Sequence, residues 1–193
     1  MAVRVGILGM QGDVPEHARA VERAGGEAVV VKTVAQLGQV DALIIPGGES
    51  TTIGMLLERY GLMEPLRERV AAGMPLFGTC AGLILMAREI EGSEQPRIGC
   101  LDAVVRRNAY GRQIDSFETE VPPGELGGEA PVRAVFIRAP QIVSVAPEVK
   151  VLLELPEGPI LVRQGHLLGG TFHPELTDDP RVHRYFLAMV RER

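Results

Sequence analysis

Tryptophan is absent from this 193-residue chain, lysine occurs only as Lys32 and Lys150, and there are only two cysteines. Cys80 and Cys100 are too few for a disulfide scaffold or a multi-cysteine metal centre. Aromatic residues make up 4% of the chain, and Tyr60, Tyr110 and Tyr185 are too scattered to form a base-stacking platform. The formal charge is −5 and no basic stripe stands out, which argues against a nucleic-acid partner. No segment reaches the ~20 apolar residues a membrane helix needs. The opening stretch MAVRVGILGMQGD is a short apolar strand with polar residues close behind, unlike a secretory leader. A soluble, cytoplasmic protein is expected. His17, His166 and His183 have no metal-ligand spacing, so they read as surface or helix-face residues, and no metal is expected. Cys100 reads as a core residue.

What is present points to a folded α/β unit. At this length one domain over residues 1–193 is the default, able to bury roughly 70% of the unfolded chain's surface. The 46% hydrophobic content excludes disorder, and 23 glycines with 14 prolines supply many turns. Residues 3–9 form a β-rich run ended by Gln11-Gly12-Asp13. Pro15 suits the first turn of a helix to Ala24, closed by Gly25-Gly26. Residues 28–31 and 42–45 are further apolar runs, the second stopped by Pro46-Gly47-Gly48. Ser50 or Thr51 can cap a helix to about Arg59, ended by Gly61. An amphipathic stretch follows over 63–72, then a buried strand at 75–78. Apolar strands without alternation are covered on both faces, which predicts a three-layer fold: a mostly parallel central sheet flanked by helices.

The second half changes character. Strand-like runs over 100–120 and 132–172 predict an antiparallel extension that returns a last strand, 167–172, to the sheet. Asp179-Pro180 opens a final helix with Val182, Phe186, Met189 and Val190 on its inner face. Residues 122–131 form the likeliest mobile loop.

The chemistry concentrates in three segments. In Gly78-Thr79-Cys80-Ala81-Gly82 a buried strand runs through a cysteine into a helical stretch, 83–90. This is the nucleophile-elbow pattern, with small flanking residues allowing a sharp turn that lifts the side chain off the sheet. Helix-start N–H groups favour a thiolate there. Downstream, Phe172-His173-Pro174-Glu175 follows an apolar strand. Side chains at i and i+2 of an extended segment point the same way, so Glu175 can fix the tautomer of a His173 base. The turn Pro46-Gly47-Gly48-Glu49-Ser50 leaves amides uncovered, and a Gly48 N–H paired with that of Ala81 suits an oxyanion hole. A parallel sheet gathers such strand ends on one edge.

PGGES, GTCAG and FHPE resemble the class I (triad) glutamine amidotransferase family, whose fold is flavodoxin-like. LGMQGD, RNAYGRQIDSFE and VFIRAP resemble the branch that serves as glutaminase subunits of pyridoxal 5′-phosphate synthase. The resemblance spans essentially the whole chain in the family's order. It implies Cys80, His173 and Glu175 as a catalytic triad. It implies that Gly47, Gly48, Glu49, Ser50, Arg107, Ile137 and Arg138 line a site for L-glutamine. An arginine suits a bidentate grip on the α-carboxylate, and Glu49 can attract the α-amino group. It further implies glutamine hydrolysis to glutamate and ammonia through a γ-glutamyl thioester, without a cofactor. The ammonia would pass to a synthase (lyase) subunit in a hetero-oligomer, with Gln11 sensing that partner. The alternatives are the glutaminase of another pathway, such as imidazole glycerol phosphate synthase, and a catalytically dead scaffold. A PfpI-like hydrolase would carry its histidine just after the cysteine, where this chain has Ala81.

Overall fold

The computed structural model describes residues 2–108 and 116–192. In chain order the elements are β1 (Arg4–Leu8), α1 (Val14–Arg23), β2 (Glu27–Val31), α2 (Val34–Leu37), β3 (Ala42–Ile45), α3 (Ser50–Arg59), α4 (Met63–Ala71), β4 (Leu76–Thr79), α5 (Ala81–Met86) and β5 (Ala87–Ile90). Then follow β6 (Leu101–Arg106), β7 (Ser116–Val121), β8 (Val132–Ile137), β9 (Gln141–Val145), β10 (Lys150–Leu155), β11 (Gly158–Gln164), β12 (Leu167–Gly170) and α6 (Arg181–Arg191). Among the described residues no helix is long and apolar enough to cross a membrane.

Seven strands form the central sheet in the order β10-β11-β12-β4-β3-β1-β2. The run β12-β4-β3-β1-β2 is parallel throughout. β11 pairs antiparallel with both β12 and β10, so the expected antiparallel extension lies at one edge and returns β12 to the parallel set. Two smaller sheets, β5-β6-β9 and β7-β8, accompany it.

Because successive strand residues face opposite sides, the apolar runs build two cores. Leu43, Ile45 and Leu76 pack with Ile53, Leu57, Leu66 and Leu83 from α3, α4 and α5. Ala42, Ile44 and Phe77 pack with Val21 of α1 and Phe186 of α6. β3 and β4 are buried along their whole length, as strands covered by helices on both faces must be.

Several local expectations change. The helix after Cys80 stops at Met86, and residues 87–90 leave as a strand that pairs with β6. The cap of α3 is Glu49 rather than Ser50 or Thr51: its carboxylate accepts from Thr51 N at 3.1 Å and Thr52 N at 2.8 Å. The 122–131 loop contains a 3-10 turn, Gly124–Leu126, and is held by Arg181, whose guanidinium donates to the carbonyls of Ala130 and Pro131 at 2.7 Å each. On α6 Leu187 is buried and Val190 is only half-buried.

Candidate active site

Four loops at the carboxyl edge of the parallel strands meet around one cleft of about 370 Å³. The loop after β1 supplies Gln11 and Asp13, and that after β3 supplies Gly48, Glu49 and Ser50. The elbow after β4 gives Cys80, and the segment after β12 gives His173. β1 lies between β2 and β3, so the chain reverses its direction of sheet growth there. The carboxyl edge at such a switch point is where doubly wound sheets form crevices.

Cys80 adopts φ 50°, ψ −104° between β4 and α5. A positive φ outside glycine costs on the order of 1–3 kcal/mol, which the surrounding structure has to impose. Among the described residues the other two non-glycine cases are Asn108 and Arg138, and both line the same cleft. Strain is thus concentrated where the loops converge. The elbow is held from both sides. Cys80 N donates to Gly170 O of β12 at 2.8 Å, and a Cβ on Gly82 would lie 2.1 Å from Ile45 O of β3, so only glycine lets α5 start this close to the sheet. The thiol is buried, with Sγ 3.9 Å from the carbonyl oxygen of Ile137.

His173 is anchored by its backbone N–H to Val135 O of β8 at 2.8 Å. Its Nδ1 lies 2.7 Å from Glu175 Oε1 and 3.4 Å from Asp13 Oδ2. Its Nε2 is buried and has no hydrogen-bond partner among the described residues. Burial opposes protonation of the ring, but the neighbouring Asp13, Cys80 and Glu175 outweigh it and raise its pKa to about 12. Glu175 is itself buried, which pushes its carboxyl up against the opposing pull of His173. The imidazolium is the form this pocket favours, with a carboxylate against Nδ1 and its other nitrogen open. On the far side a Cβ on Gly47 would lie 2.5 Å from His173 Cε1, so the glycine turn after β3 gives the ring its room.

The remaining residues singled out by sequence divide clearly. Gln11, Gly48, Glu49, Ser50, Arg107, Ile137 and Arg138 all line the cleft with Cys80 and His173. Glu175 lies buried behind His173, Gly47 packs on the imidazole, and Ala81 opens α5. Glu49 is more committed than expected. Burial pushes its carboxyl up, but hydrogen bonds from Thr52 and Thr51 and the charge of Arg107 bring it below its ordinary value. Arg107 is also engaged, donating to Gln95 Oε1 at 2.8 Å and to Thr51 Oγ1 at 3.2 Å, with Glu49 3.4 Å away. Residues 109–115 of the RNAYGRQIDSFE motif, Tyr110 included, lie outside the described residues.

Asp13, Asn108 and Gln95 were missed by the sequence reading. Asp13 had been assigned only to a turn, although a carboxylate two residues beyond Gln11 in a strand-end loop was the available signal. Asp13, His173 and Glu175 place ligand atoms within 4.8 Å of one another, but a cation there would displace the hydrogen bond between His173 and Glu175. Of the two options for His17 and His183, surface or helix face, the second holds: they lie on α1 and α6 and are 0% and 1% exposed, because those helix faces turn onto β4. His166 is half-buried, its Nε2 2.9 Å from Val70 O. Cys100 is half-buried at the edge of a core, where burial pushes its thiol up to about 12.

A model of the SNO glutamine amidotransferase family matches residues 7–192. The chain is 54% identical over 188 residues to the pyridoxal 5′-phosphate synthase subunit PdxT of Carboxydothermus hydrogenoformans, covering 97% of this chain and 98% of that one. It is 56% identical over 190 residues to the PdxT of Frankia casuarinae, covering 97% and 95%. A crystal structure described as a glutamine amidotransferase superposes with a TM-score of 0.91 at 51% identity, covering 97% of this chain and 98% of that one. With a family model matched over residues 7–192 and relatives above 50% identical over nearly the whole of both chains, the chain belongs to the SNO glutamine amidotransferase family.

Proposed function

We propose that the chain is the glutaminase subunit of a pyridoxal 5′-phosphate synthase, one domain over residues 1–193 that hydrolyses L-glutamine with Cys80, His173 and Glu175. The observation that carries this reading is the His173 ring. One nitrogen is hydrogen-bonded to a buried carboxylate and the other is open, in a cleft that also holds a cysteine on a strained strand–helix turn. This supports the roles of activated nucleophile, base and orienting acid for the three side chains.

The Cys80 thiolate attacks the side-chain amide carbon of glutamine, and electrons move onto the carbonyl oxygen. The N–H groups of Gly48 and Ala81 are the donors assigned to that oxygen. As the C–N bond breaks, His173 gives its proton to the nitrogen, which departs as ammonia and leaves a γ-glutamyl thioester. Water then attacks the thioester, His173 takes its proton, and the C–S bond breaks to release glutamate and the thiolate. Ser50, Ile137 and Arg138 shape the substrate end of the cleft, and Arg107 and Glu49 meet the α-carboxylate and α-amino groups. Both of these charges already have protein partners, so glutamine has to share them.

The ammonia is delivered to a synthase subunit, as the names of the PdxT relatives suggest, because ammonia free in water is lost to protonation. Gln11 acts as the sensor of that partner. The test is glutamate release from glutamine by the purified chain, with and without the synthase subunit. Release that rises on adding the subunit supports the reading. No release in either case overturns it.

A further inference from the structure

Glu175 has a second oxygen that the triad does not use. Oε2 is buried and has no hydrogen-bond partner among the described residues, and His17 Nε2 lies 3.5 Å from it. His17 comes from α1 and is fully buried. The same Nε2 lies 3.0 Å from Thr79 Oγ1, beside the nucleophile on β4, and its Nδ1 lies 3.1 Å from Nε2 of His183 on α6. Both side chains of the His17–Glu175 contact are 0% exposed. A file of groups thus runs from α6 through α1 to the acid of the triad.

Only one arrangement of protons suits this file. If His17 carries its proton on Nε2, that N–H has Thr79 Oγ1 at 3.0 Å and the Glu175 Oε2 charge at 3.5 Å in front of it. Nδ1 then accepts from His183 Nε2–H, and the one unmatched atom is a bare lone pair on His183 Nδ1, which has no partner. If His17 carries it on Nδ1 instead, a lone pair faces the Glu175 carboxylate and His183 is left with a buried N–H that has no acceptor. An orphaned buried donor together with an unpaired carboxylate oxygen is the costlier outcome. Burial, with nearby positive charge, keeps both rings neutral: His17 lies well below its ordinary value through burial, His183 and His173, and His183 is lowered to about 3 by burial and Arg23.

We propose that His17 is a positioning residue for the triad: as its neutral Nε2–H tautomer it donates to the second oxygen of Glu175 and keeps that carboxylate ionised and aimed at His173. This rests on the glutaminase reading above. The groups facing Glu175 are His173, Asp13 and His17. Those facing His17 are His183, His173, Thr79 and the Phe77 ring, and Arg23 acts on His183.

Two measurements test it. In the wild-type protein, 15N NMR of the imidazoles reads the tautomers directly. A protonated Nε2 and bare Nδ1 at His17 are expected, and the reverse overturns the proposal. In the complex with its synthase subunit, His17→Phe keeps a ring of similar size but removes the donor. Its kcat should fall about tenfold to a hundredfold, the range for a hydrogen bond to a charged group, with KM unchanged. The acid limb of its pH profile should move to higher pH, because the carboxylate loses a donor to its charged form. His17→Gln, whose amide restores an N–H, should recover most of the loss. Wild-type kcat and pH profile in His17→Phe overturn the proposal, and if that variant does not fold the tautomer measurement decides alone. Failure of the wild-type complex to release glutamate counts against the glutaminase reading, whereas the tautomers are read without turnover.

Discussion

Gln11 Oε1 accepts the backbone N–H of Glu49 at 2.8 Å, which ties the loop after β1 to the glycine turn after β3. The turn that holds the proposed oxyanion donor is therefore fastened by a side chain from another loop. Gly48, with φ 156°, has no room to spare: a Cβ there would lie 2.5 Å from the same Gln11 oxygen. Movement of Gln11 and rearrangement of this turn are thus coupled.

Gln11→Ala should lose the stimulation by the synthase subunit, by about tenfold, the worth of one hydrogen bond of ~1.4 kcal/mol. Steady-state glutamate release with and without the subunit checks it. Full stimulation in the variant would remove Gln11 from the signalling path.

Cys80→Ser should reduce glutamine turnover by at least roughly 10³-fold, as for a lost nucleophile in a triad that acts as a unit. Binding to the synthase subunit should be retained. Single-turnover assays and sedimentation of the mixture separate the two.

Glu175→Gln should lower kcat by about 10²- to 10⁴-fold while leaving the cleft in place. The carboxylate is one of the groups that lift His173 to about 12 against burial. Without it the ring loses its proton at lower pH, so the alkaline limb of the rate profile should move down. A pH–kcat profile reads the direction, and an unmoved limb would disconnect the two residues.

Gly82→Ala should destabilise the fold, because the added methyl meets the Ile45 carbonyl of the sheet rather than a side chain that can swing away. Overpacking of this kind costs about 2 kcal/mol, a fall in Tm of roughly 4–8 °C for a chain this long. Differential scanning calorimetry measures it.

His183 gives the fold an acid sensitivity. Its folded pKa, about 3, lies below the unfolded value near 6.5, so the unfolded chain binds the proton first. Stability should therefore fall as pH drops from about 6.5 towards 3. His183→Leu should flatten that slope in denaturant titrations at several pH values, and an unchanged slope would place the sensitivity elsewhere.

The parallel sheet was legible, and the proposed triad could be put forward, because each rests on a local rule. β3 shows as an unbroken apolar run, and Cys80 as a cysteine between glycines at a strand end. The misses follow where a local rule met tertiary context. Ser50 and Thr51 are the usual capping types, yet Glu49 starts the helix one residue earlier by accepting from the amides of Thr51 and Thr52. The apolar stretch after Cys80 fits a helix or a strand equally well in sequence, and only pairing with β6 ends α5 at Met86. His17 and His183 read only as surface or helix-face residues because they lack metal-ligand spacing. Their spacing along the helices carried the signal for the second: His17 shares a helix face with Ala20 and Val21, and His183 with Phe186 and Leu187, all buried.

The amide of Cys80 is the last rung of the ladder between β4 and β12, and His173 follows β12 by three residues. β12 is made after every other strand of the sheet, yet it inserts in the middle, beside β4. During synthesis the proposed nucleophile and base therefore stay apart until β12 has been made and has zipped in beside β4, a pairing of very distant segments that forms slowly. Chains truncated before β12 are therefore expected to release no ammonia from glutamine.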